Sequence, residues 1–329
     1  MNKLIVAAIR CFLMLLVPSA AYAISAQWDL DPISGDWNTA ANWTPNGVPN
    51  GPADTATFGL SNTTDVSISA DTEVNGITFT SAATNSYTIA VNSGLTLTLS
   101  GMGITNNSGI TQRFFVGEDG HMHFTNNASA GNATILSDFG SEINFFNRST
   151  AASASLIGVE SHTSVNFFNS STAGSALIEN PDFVHNEINF FDHSTAGSAS
   201  LLAGEEGVVI FSGHSSADTA TIFGGSDGGI IGFSGFSTAG GATVIGTFTS
   251  IFFSDFSQGG TARIELFFHS GFQVGSFLDI SGHNAQGVTI GSLEGDEMCA
   301  VFLGANNLTI GSNNLSTTYS GGIEGGVAL

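Results

Sequence analysis

The chain has 329 residues, 27 acidic against five basic, and a formal net charge of −22. Nucleic acid is held through several Lys/Arg phosphate contacts and anionic lipid through basic clusters, so this balance excludes both as partners. A hydrophobic fraction of 42%, with 27 phenylalanines, excludes a disordered acidic tail.

Residues 1–23 have the three parts of a secretory leader. Lys3 and Arg10 give a positive start, Cys11 to Val17 an apolar stretch, and Ala21-Tyr22-Ala23 a small-x-small cleavage site. Arg10 and Pro18 interrupt the apolar run, which is too short for a membrane span, so no membrane insertion by this chain is expected. Cleavage after Ala23 would leave Cys299 as the sole cysteine. A secreted chain without an intrachain disulfide must then be held by a large regular core.

Residues 24–60 contain all three tryptophans, Trp28, Trp37 and Trp43, followed by Pro45, Pro49 and Pro52. Two readings stand. The segment is an N-terminal cap that closes a repeat array against water, or its rings form an exposed aromatic platform that takes surface glycans. Residues 61–120 carry strand text without a crisp repeat, in Val66-Ser67-Ile68, Ile77-Thr78-Phe79, Tyr87 to Val91 and Leu95 to Leu99.

Residues 121–270 repeat. FFNRSTAASASLI at Phe145, FFNSSTAGSALI at Phe167 and FFDHSTAGSASLL at Phe190 are one unit, with weaker copies before and after. Alignment gives a column of Phe124, Phe145, Phe167, Phe190, Phe211, Phe233 and Phe253, at spacings of 21, 22, 23, 21, 22 and 20. Two residues before each phenylalanine stands Met122, Ile143, Val165, Ile188, Val209, Ile231 or Ile251. Nine after it stands an alanine, and two beyond that Ile135, Leu156, Ile178, Leu201, Ile222, Val244 or Ile264. Apolar pairs two apart are strand alternation, not helical spacing. The expected fold is therefore all-β: a single-stranded parallel β-helix of about 21–23 residues per coil, whose like columns stack about 4.8 Å apart. The variable segments 158–161, 179–185 and 203–207, rich in acidic residues, read as turns along one edge. Residues 271–329 return to the style of the first coils, with Val288-Thr289-Ile290-Gly291 and Leu308-Thr309-Ile310-Gly311.

Few residues invite chemistry. His121 and His123 alternate across Met122 and project from one strand face, where they read as surface histidines or as a pair of metal ligands. His193 and His214 hold one repeat position and should stack, but that position becomes Phe236 and Phe256, so it is no maintained ligand set. Asn144, Asn166 and Asn189 should hydrogen-bond from coil to coil. The scattered acidic turns permit at most weak calcium binding and otherwise read as a solvated face. No catalytic residue, cofactor or metal is assigned. Arg113, Arg148 and Arg263 read as singletons, and a glycosidase would need two carboxylates about 5–9.5 Å apart. As a check on the columns, Phe190→Ala is expected to be costly, and Ser194→Ala, in a turn, to cost little.

Trp37 to Phe58, Leu95 to Gly101 and the segment NNLTIGSNNLSTTYSGGIEG from Asn306 to Gly325 resemble bacterial proteins with autotransporter-associated β-strand repeats. The likeness covers both flanks; the Phe-rich middle shares only the style. It implies a secreted, non-catalytic β-helical passenger at the bacterial outer surface, structural or adhesive, meeting surface glycans or other cell-surface and matrix components. The alternative is a carbohydrate-active β-helix, a lyase or hydrolase, or a glycan-binding module. Members typically end in an outer-membrane barrel or sorting signal, and nothing after Ile310 reads as either. The chain is then a truncated frame, a fragment or a member released without an anchor.

Overall fold

The computed structural model describes residues 24–179, 185–202, 204–225, 227–269, 271, 274–284 and 287–325; the segment read as a leader lies outside them, as does most of the acidic turn at 179–185. The chain winds into a β-solenoid of about 12 turns. One side is a 15-stranded sheet that runs from Trp43–Thr44 to Gly322–Gly325, and a second has 12 strands, eleven in one path and Ser292–Gly295 beside it; nearly every neighbouring pair is parallel.

Each coil of the middle region has three sides. His121–Phe124, Glu142–Phe145, Ser164–Phe167 and Glu187–Phe190 are successive rungs of the long sheet. Thr134–Ser137 and Ser155–Gly158 are rungs of the second, so that strand begins one residue after the repeat alanine. Between them lies a third side, one bridge wide, in which Ser129, Thr150, Thr172, Thr195, Ser216, Thr238 and Gln258 pair in sequence.

The corners explain the polar half of the repeat. Two residues after each core phenylalanine the backbone is left-handed, with φ from 55° to 67° at Asn126, Asn147, Asn169, Asp192, Gly213, Gly235 and Asp255. Only Gly, Asn and Asp visit that region readily, and the column contains nothing else. Its side chains also tie coils together. The N–H groups of Asn126, Asn147 and Asn169 donate to Oδ1 of Asn147, Oδ1 of Asn169 and Oδ2 of Asp192, at 3.0, 2.9 and 2.8 Å. A second corner, seven residues after the phenylalanine, includes Gly174 and Gly197; a Cβ on Gly197 would stand 2.4 Å from the Gly174 carbonyl oxygen. The third corner, five residues before it, is left-handed at Asp119, Gly140, His162, His185, Glu206, Gly228 and Phe248.

The core is the stack of inward columns. Successive rings from Phe124 to Phe253 lie 4.6–5.0 Å apart and within 9° of parallel, an offset packing open to aromatic pairs, and all seven are buried. The irregular flanks join the same ladders: Phe58 pairs with Phe79 and Leu99 with Phe124. Some of their coils are longer than the repeat, since Ile77 pairs with Ile104 and Ile251 with Leu278, 27 residues on in both cases. Val288 to Ile290 and Leu308 to Ile310 pair directly with one another in a two-stranded sheet apart from the two long ones.

One turn residue is not where the sequence suggested. Ser194 is fully buried, in a column with Ser149, Ser171, Ser215, Ser237 and Ser257. Its Oγ donates to the Phe191 carbonyl at 2.7 Å. The tight turn after the phenylalanine swings this position inward, where only a small side chain fits.

Candidate functional site

The tryptophans do not form a platform. Trp28, Trp37 and Trp43 are each 0% exposed and pack edge-to-face at centroid distances of 5.0 and 4.8 Å, with Phe58 against all three. Each indole N–H is used internally: Trp28 donates to Thr63 O, Trp37 to Pro49 O and Trp43 to Trp37 O. A ring that is both covered and hydrogen-bonded inside offers no face to a sugar. The antiparallel strand Trp43–Thr44 then ends the long sheet.

Ring stacks do reach solvent elsewhere, at the corner after the long sheet. His193, His214, Phe236 and Phe256 project from successive coils, 5.0, 5.1 and 5.2 Å apart and within 11° of parallel. Phe236 is 59% exposed and Phe256 47%. Toward the N-terminus the same repeat position is held by Ser170, Arg148 and Asn127. These line a shallow groove with Asn126, Asn147 and Asn169. The corner is thus one continuous strip, amide-rich at one end and aromatic at the other, repeated once per coil.

Arg263 is no singleton. Parallel pairing places Glu265 beside Glu294 on the outer face of the second sheet. The guanidinium donates from Nη2 to Glu294 Oε1 at 2.7 Å, and its Nε lies 2.9 Å from Glu265 Oε1 without the alignment of a hydrogen bond. Burial pushes the Glu265 carboxyl above the ordinary range and the Glu294 charge adds to this, against the opposing pull of Arg263. An open groove adjoins the cluster, lined by Glu294, Asp296, Phe267, Thr317, Thr318 and Ser320. Sequence reading missed this site because its members lie about 30 residues apart on irregular coils. A carboxylate two residues along a strand from an arginine was the only local signal.

His121 and His123 stand side by side on the long sheet, half-buried, with ring centroids 5.8 Å apart. Glu142 is the register partner of His121 and Asn144 that of His123. The asparagine column forms as expected: Asn166 Nδ2 donates to Asn144 Oδ1 at 2.8 Å, and Asn189 Nδ2 to Asn166 Oδ1 at 3.0 Å. It ends on Glu142 and Glu187, whose Oε2 atoms accept from Asn144 and Asn189.

Among the described residues no group of three His, Cys, Asp or Glu side chains is placed to hold a metal ion, and no helix is long and apolar enough to cross a membrane. Comparison with protein-family models, with curated proteins and with solved structures returns no match.

Proposed function

We propose that the chain is a non-catalytic structural or adhesive rod, exported and displayed outside the cell, of the autotransporter-passenger type. The observation that carries this reading is the strip of exposed, coil-by-coil repeated side chains ending in His193, His214, Phe236 and Phe256. A partner that meets the same group once per coil binds through many weak contacts, and its avidity grows with the number of coils engaged. Surface glycans and other matrix components suit such a strip, because amides, hydroxyls and aromatic edges recognise hydroxylated polymers without needing charge.

The test has two arms. The gene is expressed with its leader in a Gram-negative host, and intact cells are treated with protease before fractionation. Protein in the medium or protease-sensitive at the surface supports the reading; protein confined to the cytoplasm overturns it. The purified rod, displayed on beads, is then offered immobilised polysaccharides. Retention that falls severalfold in the double variant Phe236→Ser/Phe256→Ser supports adhesion through this strip, and unchanged retention refutes it.

A carbohydrate-active reading is favoured by one observation, the adjacent Glu265 and Glu294 beside an open groove, with one carboxyl held above its usual range. Release of reducing ends from any glycan in the same panel, abolished in Glu265→Gln, would replace the adhesive reading with this one.

A further inference from the structure

We propose that removal of the leader turns the Ile24 nitrogen into an ammonium that pairs with the buried carboxylate of Asp54 and locks the N-terminal cap, an inference that rests on the export reading above. Hydrolysis of the Ala23–Ile24 peptide bond by a leader-cleaving peptidase of the exporting cell consumes water. It leaves a carboxylate on Ala23 and an ammonium on Ile24.

The sheet places the carboxylate for that nitrogen. The strand Ala26–Trp28 pairs in parallel with Gly51–Phe58, Ala26 opposite Ala56, and two residues back along both segments Ile24 comes level with Asp54. Asp54 lies on the same inward face as Ala56 and Phe58 and is 5% exposed. The Ile24 N–H donates to Asp54 Oδ1 at 2.6 Å, and the Asn50 N–H to Oδ2 at 3.0 Å. A charge-assisted bond from nitrogen to a carboxylate is about 2.7–2.9 Å long, so the nitrogen needs no movement to serve as an ammonium.

The charges favour the same pairing. Among the described residues Asp54 and Glu265 are the acidic side chains that are buried. Glu265 has the Arg263 guanidinium 2.9 Å away, whereas no lysine, arginine or histidine forms an ion pair with Asp54. A buried carboxylate without a countercharge is costly, and two neutral N–H groups offset only part of that cost. Without residues 1–23 the chain keeps Arg113, Arg148 and Arg263 and has no lysine. The new α-amino group is thus the cation already in contact, and its ordinary pKa of about 7.7–8.0 leaves it mostly charged at pH 7. Ile24 is 40% exposed, so the other ammonium hydrogens have room to meet water.

The pair pins the strand that carries Trp28 to the strand that carries Phe58, two rings of the aromatic cap. A chain that still carries its leader has an uncharged amide at this place. The cap therefore reaches full stability only after cleavage.

The experiment starts from the chain exported by a Gram-negative host, whose intact mass should place the N-terminus at Ile24. Exported protein that starts elsewhere overturns the proposal and leaves the export reading standing; protein that stays in the cytoplasm with residues 1–23 attached overturns both. Lys3 is the only lysine, so the processed chain has one primary amine, and an amine-reactive ester reads it alone. At pH 7 the native chain should label more than about tenfold more slowly than the chain unfolded in guanidinium, the factor expected of one unit in amine pKa. Asp54→Asn should lose most of this protection, and Asp65→Asn, at an exposed carboxylate, should keep it. A second measurement needs no substitution: a chain that retains Ala21 to Ala23 should unfold at a lower denaturant concentration than the chain that starts at Ile24. Labelling as fast in the native as in the unfolded chain, full protection in a folded Asp54→Asn, or equal unfolding midpoints overturns the proposal.

Discussion

The two ends of the rod differ sharply. At the N-terminal end three indoles, Phe58 and Tyr87 close the first coils, and no atom of the tryptophans reaches solvent. At the C-terminal end the strand Gly322–Gly325 is exposed along its whole length, with Ile323 at 54%, Leu315 at 54% and Ile310 at 46%. A solenoid coil buries its inward columns only between two neighbours, so the outermost coil lacks half its burial unless a cap replaces it. Burial in the described coils is thus graded along the axis, with the cap doing for the first coil what Phe124 does for the coils on either side of it.

The largest effect expected is at the cap. Trp43→Ala removes a buried ring that touches Trp28, Trp37 and Phe58, and should cost about 3–5 kcal/mol by chemical denaturation. A cost near zero would mean that the cap is dispensable and that both ends are equally open. Phe190→Ala in the central stack should cost a similar 3–5 kcal/mol. If it costs much less than Trp43→Ala, the coils melt from the end inward and are not one cooperative unit. Ser194→Ala, in the same coil and equally buried, should cost only about 0.5–1.5 kcal/mol. Ala128 occupies the equivalent place one residue before the Ser129 bridge, so the column already accepts a methyl group.

Acid should act on the cap and on the second sheet with opposite sign. Burial would raise the Asp36 carboxyl in the cap, but hydrogen bonds from Ser69, Thr39 and Asn38 together hold it below the ordinary range. Its contribution is present above the unfolded value and is lost as pH falls through the folded one. Glu265 is held above the ordinary range, so its contribution is complete below the unfolded value and is lost as pH rises through the folded one. Asp36→Asn should therefore lower the unfolding midpoint at pH 7, and Glu265→Gln should raise it, with both differences shrinking on acidification. Denaturation of the two variants at pH 3 and pH 7 checks the signs; a shared sign at pH 7 would refute the assignment. The smallest effect belongs to the exposed end, where Ile323→Ala should stay within about 0.5 kcal/mol of the parent. A cost of several kcal/mol would show that this face is covered in solution.

Much of the core was legible from the repeat. Alternation at two-residue spacing is a local property, so the inward Phe, Ile and Ala columns, and the Asn144–Asn166–Asn189 ladder, follow from aligning identical text. The histidine stack at His193 and His214 follows in the same way. Residues outside the repeat were less legible: the same tryptophans suit a buried cap and an open platform, and only packing against Phe58 separates them.

What the sequence by itself determined is the period, the strand faces and hence the parallel stack, because these depend on residues a few positions apart in one chain segment. What only the tertiary structure decided is the turning of the corners and the pairing across coils of unequal length. Left-handed residues at three corners aim Ser194 inward and leave Phe236 and Phe256 in solvent. Register between coils sets Glu142 beside His121 and Glu294 beside Glu265. Those contacts are fixed by hydrogen bonding between strands that the chain reaches only after a full turn, and a turn of 20 to 30 residues carries no local mark of which side chains it will bring together.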